Sequence, residues 1–161
     1  MSQKYVIVHF IDISNVPGEF PKSEWPLHVT LLANFTISLP LEELIQKLEL
    51  YALEIVPFEI MSDGEDVFGP NQNIAVSLIQ QSESIRKVHA DLSAISKALG
   101  AKYDELKFMG EGFRPHATKQ INARLMDKQI IALNNFTLVD MYPDNDINRR
   151  RIIKTYKLGS K

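Results

Sequence analysis

The sequence predicts an α+β fold of two similar lobes, each a sheet backed by a helix, and two observations carry that expectation. Strand-length apolar runs and helical stretches follow the order β, β, α, β, β, α, β, with two further strands and room for a short helix between them. A weak internal repeat runs through that order. Each half has one substantial helix and one strand in which proline shortly precedes His-x-Thr: WPLHVT at 25–30 and RPHATK at 114–119. The helix follows the motif in the first half and precedes it in the second. No linker divides the chain, so residues 1–161 are read as one domain.

The elements follow in order. KYVIVHFID at 4–12 is rich in β-branched and aromatic residues and suits a buried strand. NVPGEFPKSEWP is a loop dense in breakers. In LHVTLLANF, strict alternation puts His28, Thr30, Leu32 and Asn34 on one face and Val29, Leu31, Ala33 and Phe35 on the other. Pro40 opens a helix whose stripe is Leu41, Leu44, Ile45, Leu48 and Ala52. Residues 57–67 read as a strand and then a turn, with Asp63-Gly64 as a hairpin signal. NIAVSLI at 73–79 is a strand. The clearest helix is 84–99, with Ile85, Val88, Leu92, Ile95 and Leu99 on one side, Ser82 or Ser84 as cap and Gly100 as stop. After the polar loop KYDELKFMGEG, FRPHATKQI is a strand. Strands at 136–142 and 151–158 close the chain around the turn PDNDIN.

Composition narrows the function classes. The chain has no cysteine, which excludes disulfides, thiolate nucleophiles and cysteine-ligated zinc. Net charge is −2, whereas proteins that grip long nucleic acid usually carry a basic surplus, so a small phosphorylated ligand or an RNA end fits better. No apolar run approaches the length of a membrane span, and the N-terminal run lacks a small-residue cleavage site. The expectation is a cytoplasmic monomer with no membrane association, no cofactor and no obligate protein partner.

The chemistry sits in the two repeated motifs. Of four histidines, His9, His28, His89 and His116, two have one of the chain's five threonines two positions on. Strand alternation aims residues i and i+2 the same way, so each histidine shares a face with its threonine. If the two strands lie side by side about a pseudo-twofold, His28, Thr30, His116 and Thr118 converge on one cleft. A neutral imidazole can take a proton from water and a protonated one can give a proton to a leaving alkoxide, while the hydroxyls hold phosphate oxygens. No metal enters that scheme.

LHVTL at 27–31 and FRPHAT at 113–118 resemble the two signature motifs of the 2H phosphoesterase superfamily, which includes bacterial 2'-5' RNA ligases and cyclic phosphodiesterases. The element order and chain length extend the resemblance over nearly the whole sequence. It implies a bilobed α+β fold, two mostly antiparallel sheets each backed by helices around a central cleft. It implies metal-independent reaction at a 2',3'-cyclic phosphate or a 2'-5' linkage of a nucleotide or RNA end. His28 and His116 would be acid and base, and Thr30 and Thr118 the phosphate ligands. Lys119 departs from the family pattern, in which an apolar residue follows the second motif.

Other residues carry two readings each. Phe113 and Arg114, next to the second motif, are candidate substrate contacts, Arg114 for phosphate. Arg149-Arg150-Arg151 could meet an RNA backbone or form a solvated strand edge. Trp25, Phe35, Phe68, Phe113 and Tyr142 are stacking candidates for a base, and FGPNQNI a candidate gating loop. His9 reads as an interior histidine and His89 as the edge of a buried helix stripe. Two other function classes stay open: a non-catalytic module that holds a nucleotide or RNA end in the same cleft, and a metal-dependent hydrolase.

Overall fold

A computed structural model describes residues 3–159. Met1, Ser2, Ser160 and Lys161, which the single-domain reading includes, lie outside the described residues. The strands are β1 (Tyr5–Phe10), β2 (Glu19–Pro21), β3 (His28–Thr36), β4 (Phe58–Phe68), β5 (Ile74–Ile79), β6 (Lys102–Tyr103), β7 (His116–Thr118), β8 (Ile130–Leu133), β9 (Asn135–Asp140) and β10 (Arg149–Lys157). The helices are α1 (Leu41–Glu54) and α2 (Glu83–Ala98). No helix among the described residues is long and apolar enough to cross a membrane.

Both helices form for the reasons their sequences give. Leu44, Leu48 and Ala52 are buried on α1, with Leu41 and Ile45 half-buried beside them. Pro40 stands just before the helix, where a missing N–H leaves no bond unmade. The Ser82 hydroxyl caps α2 by accepting from the Ile85 N–H. At its other end Gly100 takes φ +81°, its N–H donates to the Lys97 carbonyl, and the Ala101 N–H donates to that of Ser96. A side chain at Gly100 would be strained by that φ and would run into Ser38.

The strands run in the order β2-β10-β9-β1-β3-β7-β5-β4-β8, with β6 added along the end of β3, and every pairing is antiparallel. The fold is α+β, as expected. Two halves are evident: a terminal half of β2, β10, β9, β1, β3 and β6, and a central half of β7, β5, β4 and β8. They meet at one residue pair, Val29 opposite Ala117. Helix α1 lies against β10 and α2 against β3, both strands of the terminal half, which corrects the expectation of one helix behind each lobe. The large core beneath them draws Ile7, Val29, Leu31, Phe35 and Phe136 from the terminal half and Ile60, Ile79, Ala117 and Leu133 from the central half. A second, smaller cluster of Val6, Val8, Phe10, Phe20, Val139 and Met141 covers the opposite face of the terminal sheet.

Three local expectations are corrected. Asp63-Gly64 is no hairpin turn. It lies within the eleven-residue β4, where the pairing with β5 shifts register between Ser62 and Glu65, and Gly64 takes φ +85°. This is a β-bulge, which needs the same residue types as a tight turn. The β4–β5 hairpin instead closes across Gly69–Asn73, within the candidate gating loop. In β3 the alternation does not run through, because register with β1 shifts between the Leu32 and Thr30 pairs. Leu31 and Leu32 are therefore both buried, and Ala33 joins Thr30 on the open face. β2, β6 and β8 were not expected, and the second motif's strand is only three residues long.

Candidate active site

The seam between the halves is where the repeated motifs meet. Val29 and Ala117 pair directly and both are buried in the core, so the residues on either side of each point to the other face. Antiparallel register then sets His28 across from Thr118 and Thr30 across from His116, a diagonal pseudo-twofold arrangement. Directly opposed residues in such a pair stand about 5 Å apart. β1 flanks one side, with Phe10 opposite His28 and Val8 opposite Thr30. β5 flanks the other, with Leu78 opposite His116 and Val76 opposite Thr118. Apolar strands thus fence a four-residue polar patch on both sides.

The two imidazoles are anchored alike. His28 Nδ1 lies 2.8 Å from the Pro26 carbonyl and His116 Nδ1 lies 2.8 Å from the Arg114 carbonyl, in each case two residues upstream. A carbonyl can only accept, so Nδ1 carries the proton and donates, which leaves Nε2 of each ring for the cleft. An aromatic ring braces each histidine: Trp25 at 4.6 Å from His28, and Phe68 at 4.4 Å from His116. A guanidinium covers each of those rings in turn, Arg150 over Trp25 and Arg114 over Phe68.

The electrostatics differ between the two. Burial pushes the His28 imidazole down to about 4, the Pro26 carbonyl opposes this, and the nearby His116 charge adds to it. His116 is also lowered, chiefly by burial and further by the Arg114 guanidinium, against the Arg114 carbonyl. Among the described residues no group of three or more His, Cys, Asp or Glu is placed to hold a metal ion.

The other expected residues fall in different places. Arg114 sits at the cleft with its Nη2 2.7 Å from Asp66. Phe113 is buried, with one edge on the cleft and its face taken by His89, so it offers a wall rather than a stacking platform. Phe35 is core. Lys119 follows the last residue of β7 and is exposed, since the strand ends there. Arg149 and Arg151 are ion-paired with Glu19, and Arg151 also with Asp144. Arg150 donates to the carbonyls of Met141, Ile147 and Arg149. The arginine run is thus tied into the fold on a strand covered by β2. His9 is interior, its Nδ1–H donating to the Asn135 carbonyl.

His89 holds more than its sequence reading gave it. It is buried, its Nδ1–H donates to the Leu31 carbonyl at 2.9 Å, and its Nε2 accepts the Gly110 N–H at 3.0 Å. Its ring lies parallel to Phe113 at 4.0 Å. It therefore joins the strand of the first motif to the loop that delivers the second. His89→Ala is expected to cost about 3 kcal/mol, from one buried and one partly buried hydrogen bond lost and a cavity left. Urea unfolding checks this, and an unchanged midpoint would show that the ring is no strut.

A family model described as the 2'-5' RNA ligase superfamily matches residues 15–134, a span that holds both motifs. No curated protein matches the chain. Among solved structures, one described as a phosphoesterase is 16% identical, with a TM-score of 0.60 over 98% of this chain and 99% of that one. E. coli LigT complexed with 3'-AMP is 16% identical, with a TM-score of 0.59 over 98% and 99% of the two chains. E. coli LigT complexed with NADP+ is 17% identical, with a TM-score of 0.61 over 98% of each. These likenesses establish the shared fold. With three quarters of its length inside the family match and both His-x-Thr strands paired at the centre of that fold, this chain belongs to the 2'-5' RNA ligase superfamily.

Proposed function

We propose that the protein is a metal-independent phosphodiesterase acting on a 2',3'-cyclic phosphate or a 2'-5' phosphodiester of a nucleotide or RNA end. One observation carries the reading: two imidazoles, locked by matching carbonyls into the same tautomer, present Nε2 beside two threonine hydroxyls at the join of two sheets. The nucleotides named in the LigT structures support a nucleotide as ligand. In the mechanism, the Thr30 and Thr118 hydroxyls donate to the non-bridging phosphate oxygens. His28, the more strongly neutral ring, takes a proton from water as the water oxygen bonds to phosphorus. The P–O bond to the ribose oxygen breaks, and His116 gives that oxygen a proton.

The test is turnover of 2',3'-cyclic mononucleotides and a 2'-5' dinucleotide in EDTA, scanned over pH. His28 must be neutral, so activity rises as pH passes about 4. His116 must be protonated, so activity falls as pH rises through a value below 6.5. The expected kcat/KM profile is a bell with its optimum on the acid side of neutrality. No turnover of any of these substrates, or activity that EDTA removes and a divalent ion restores, overturns the proposal.

A further inference from the structure

A cavity of about 260 Å³ opens on the Thr30 and His116 side of the polar patch, comparable to the smaller ligand pockets of proteins. Its walls are apolar, from Val6, Ala33, Phe108 and the edge of Phe113. Its polar groups other than the motif residues and Arg114 are Asn34, Asp104 and Glu105. Asp104 is held by Lys4 at 2.6 Å. Among the described residues, neither the Asn34 amide nor the Glu105 carboxylate has a side-chain hydrogen bond or ion pair, so both are available to a ligand.

The chemistry of those two groups is selective. A carboxylate only accepts, so Glu105 favours a ring edge that bears N–H groups and opposes one that presents a carbonyl oxygen. The Asn34 amide offers a donor and an acceptor side by side, the pattern that pairs bidentately with adjacent groups on a base edge. Phe108 supplies an apolar wall for the ring. The carboxylates also oppose a further phosphate on this side. A phosphorus atom held by the threonines would place its ribose at the mouth of the cavity and the base within it.

We infer that this cavity is a base subsite that selects an amino-bearing nucleobase, such as adenine or cytosine, over uracil, with Asn34 and Glu105 reading the base edge. The inference rests on the phosphodiesterase reading for the placement of the phosphate, and its test separates the two. The first readout is KM for the 2',3'-cyclic phosphates of adenosine, cytidine and uridine. The second, independent of turnover, is calorimetric titration with 3'-AMP and 3'-UMP. The expected result is that uridine compounds bind about tenfold more weakly than adenosine compounds. Glu105→Gln, which adds donors for a carbonyl edge, should narrow that gap, and Asn34→Ala should weaken adenosine compounds more than uridine ones. Equal affinity for all bases, or an unchanged preference in both variants, overturns the subsite while leaving the phosphodiesterase reading intact. Absence of turnover together with a 3'-AMP preference that Glu105→Gln narrows would overturn the phosphodiesterase reading and uphold the subsite.

Discussion

Replacing His116 by alanine is expected to lower turnover of the phosphodiester about a hundred- to ten-thousand-fold, and His28→Ala to do the same, because each ring moves one of the two protons in the reaction. The loss should appear in kcat rather than in substrate binding, since the threonines and the cavity remain. Both rings are only half-buried, so both variants should fold, as unfolding curves and circular dichroism would show. The double variant should be little worse than either single one, because acid and base serve the same transition state. Turnover that persists near the parent rate in correctly folded single variants would sink the proposed mechanism.

Acid should weaken the fold well before its carboxylates are protonated. All four histidines, His9, His28, His89 and His116, are held below the ordinary imidazole value, chiefly by burial. Each stays neutral in the native protein while its unfolded counterpart takes up a proton below pH 6.5. The stability they contribute is fully present above 6.5 and is lost as pH falls from there toward their native values. For His28, the interval from 6.5 to about 4 corresponds to about 3 kcal/mol. Paired carboxylates such as Glu19 and Asp66, also lowered, contribute only to losses at lower pH. Urea unfolding at pH 7 and pH 4.5 should show the drop, and His28→Gln should show a smaller one. Equal stability at the two pH values would refute it.

The sequence made the motif residues legible because strand alternation and a repeated pattern are local facts. His28, Thr30, His116 and Thr118 stand where a pseudo-twofold reading put them, and α2 lies between the Ser82 cap and the Gly100 stop that its sequence signals. What could not be read depended on partners distant in the chain. β2 is three residues long and exists because β10 offers it an edge. Asp63-Gly64 carries a turn's chemistry, and only the pairing of β4 with β5 and β8 makes it a bulge. Leu32 was assigned to the cleft face because a register shift against β1 leaves no mark in the sequence of β3. His89 looked like one edge of an amphipathic helix, since its two hydrogen-bond partners lie 58 and 21 residues away. Phe68 and Trp25 were two aromatics among several until the fold set them against the two histidines.

The terminal sheet also has a consequence for how the protein is made. β1 is completed by β9, more than a hundred residues downstream, and β9 in turn by β10. During synthesis β1 and β3 must wait, with one long edge unpaired, until β9 has left the ribosome. Such distant pairing makes folding slow and leaves the nascent chain open to wrong strand partners. The repeat in the sequence suggests two interchangeable halves, yet neither can be cut out as a contiguous piece of chain. The sheet that carries the first histidine is the last to be finished.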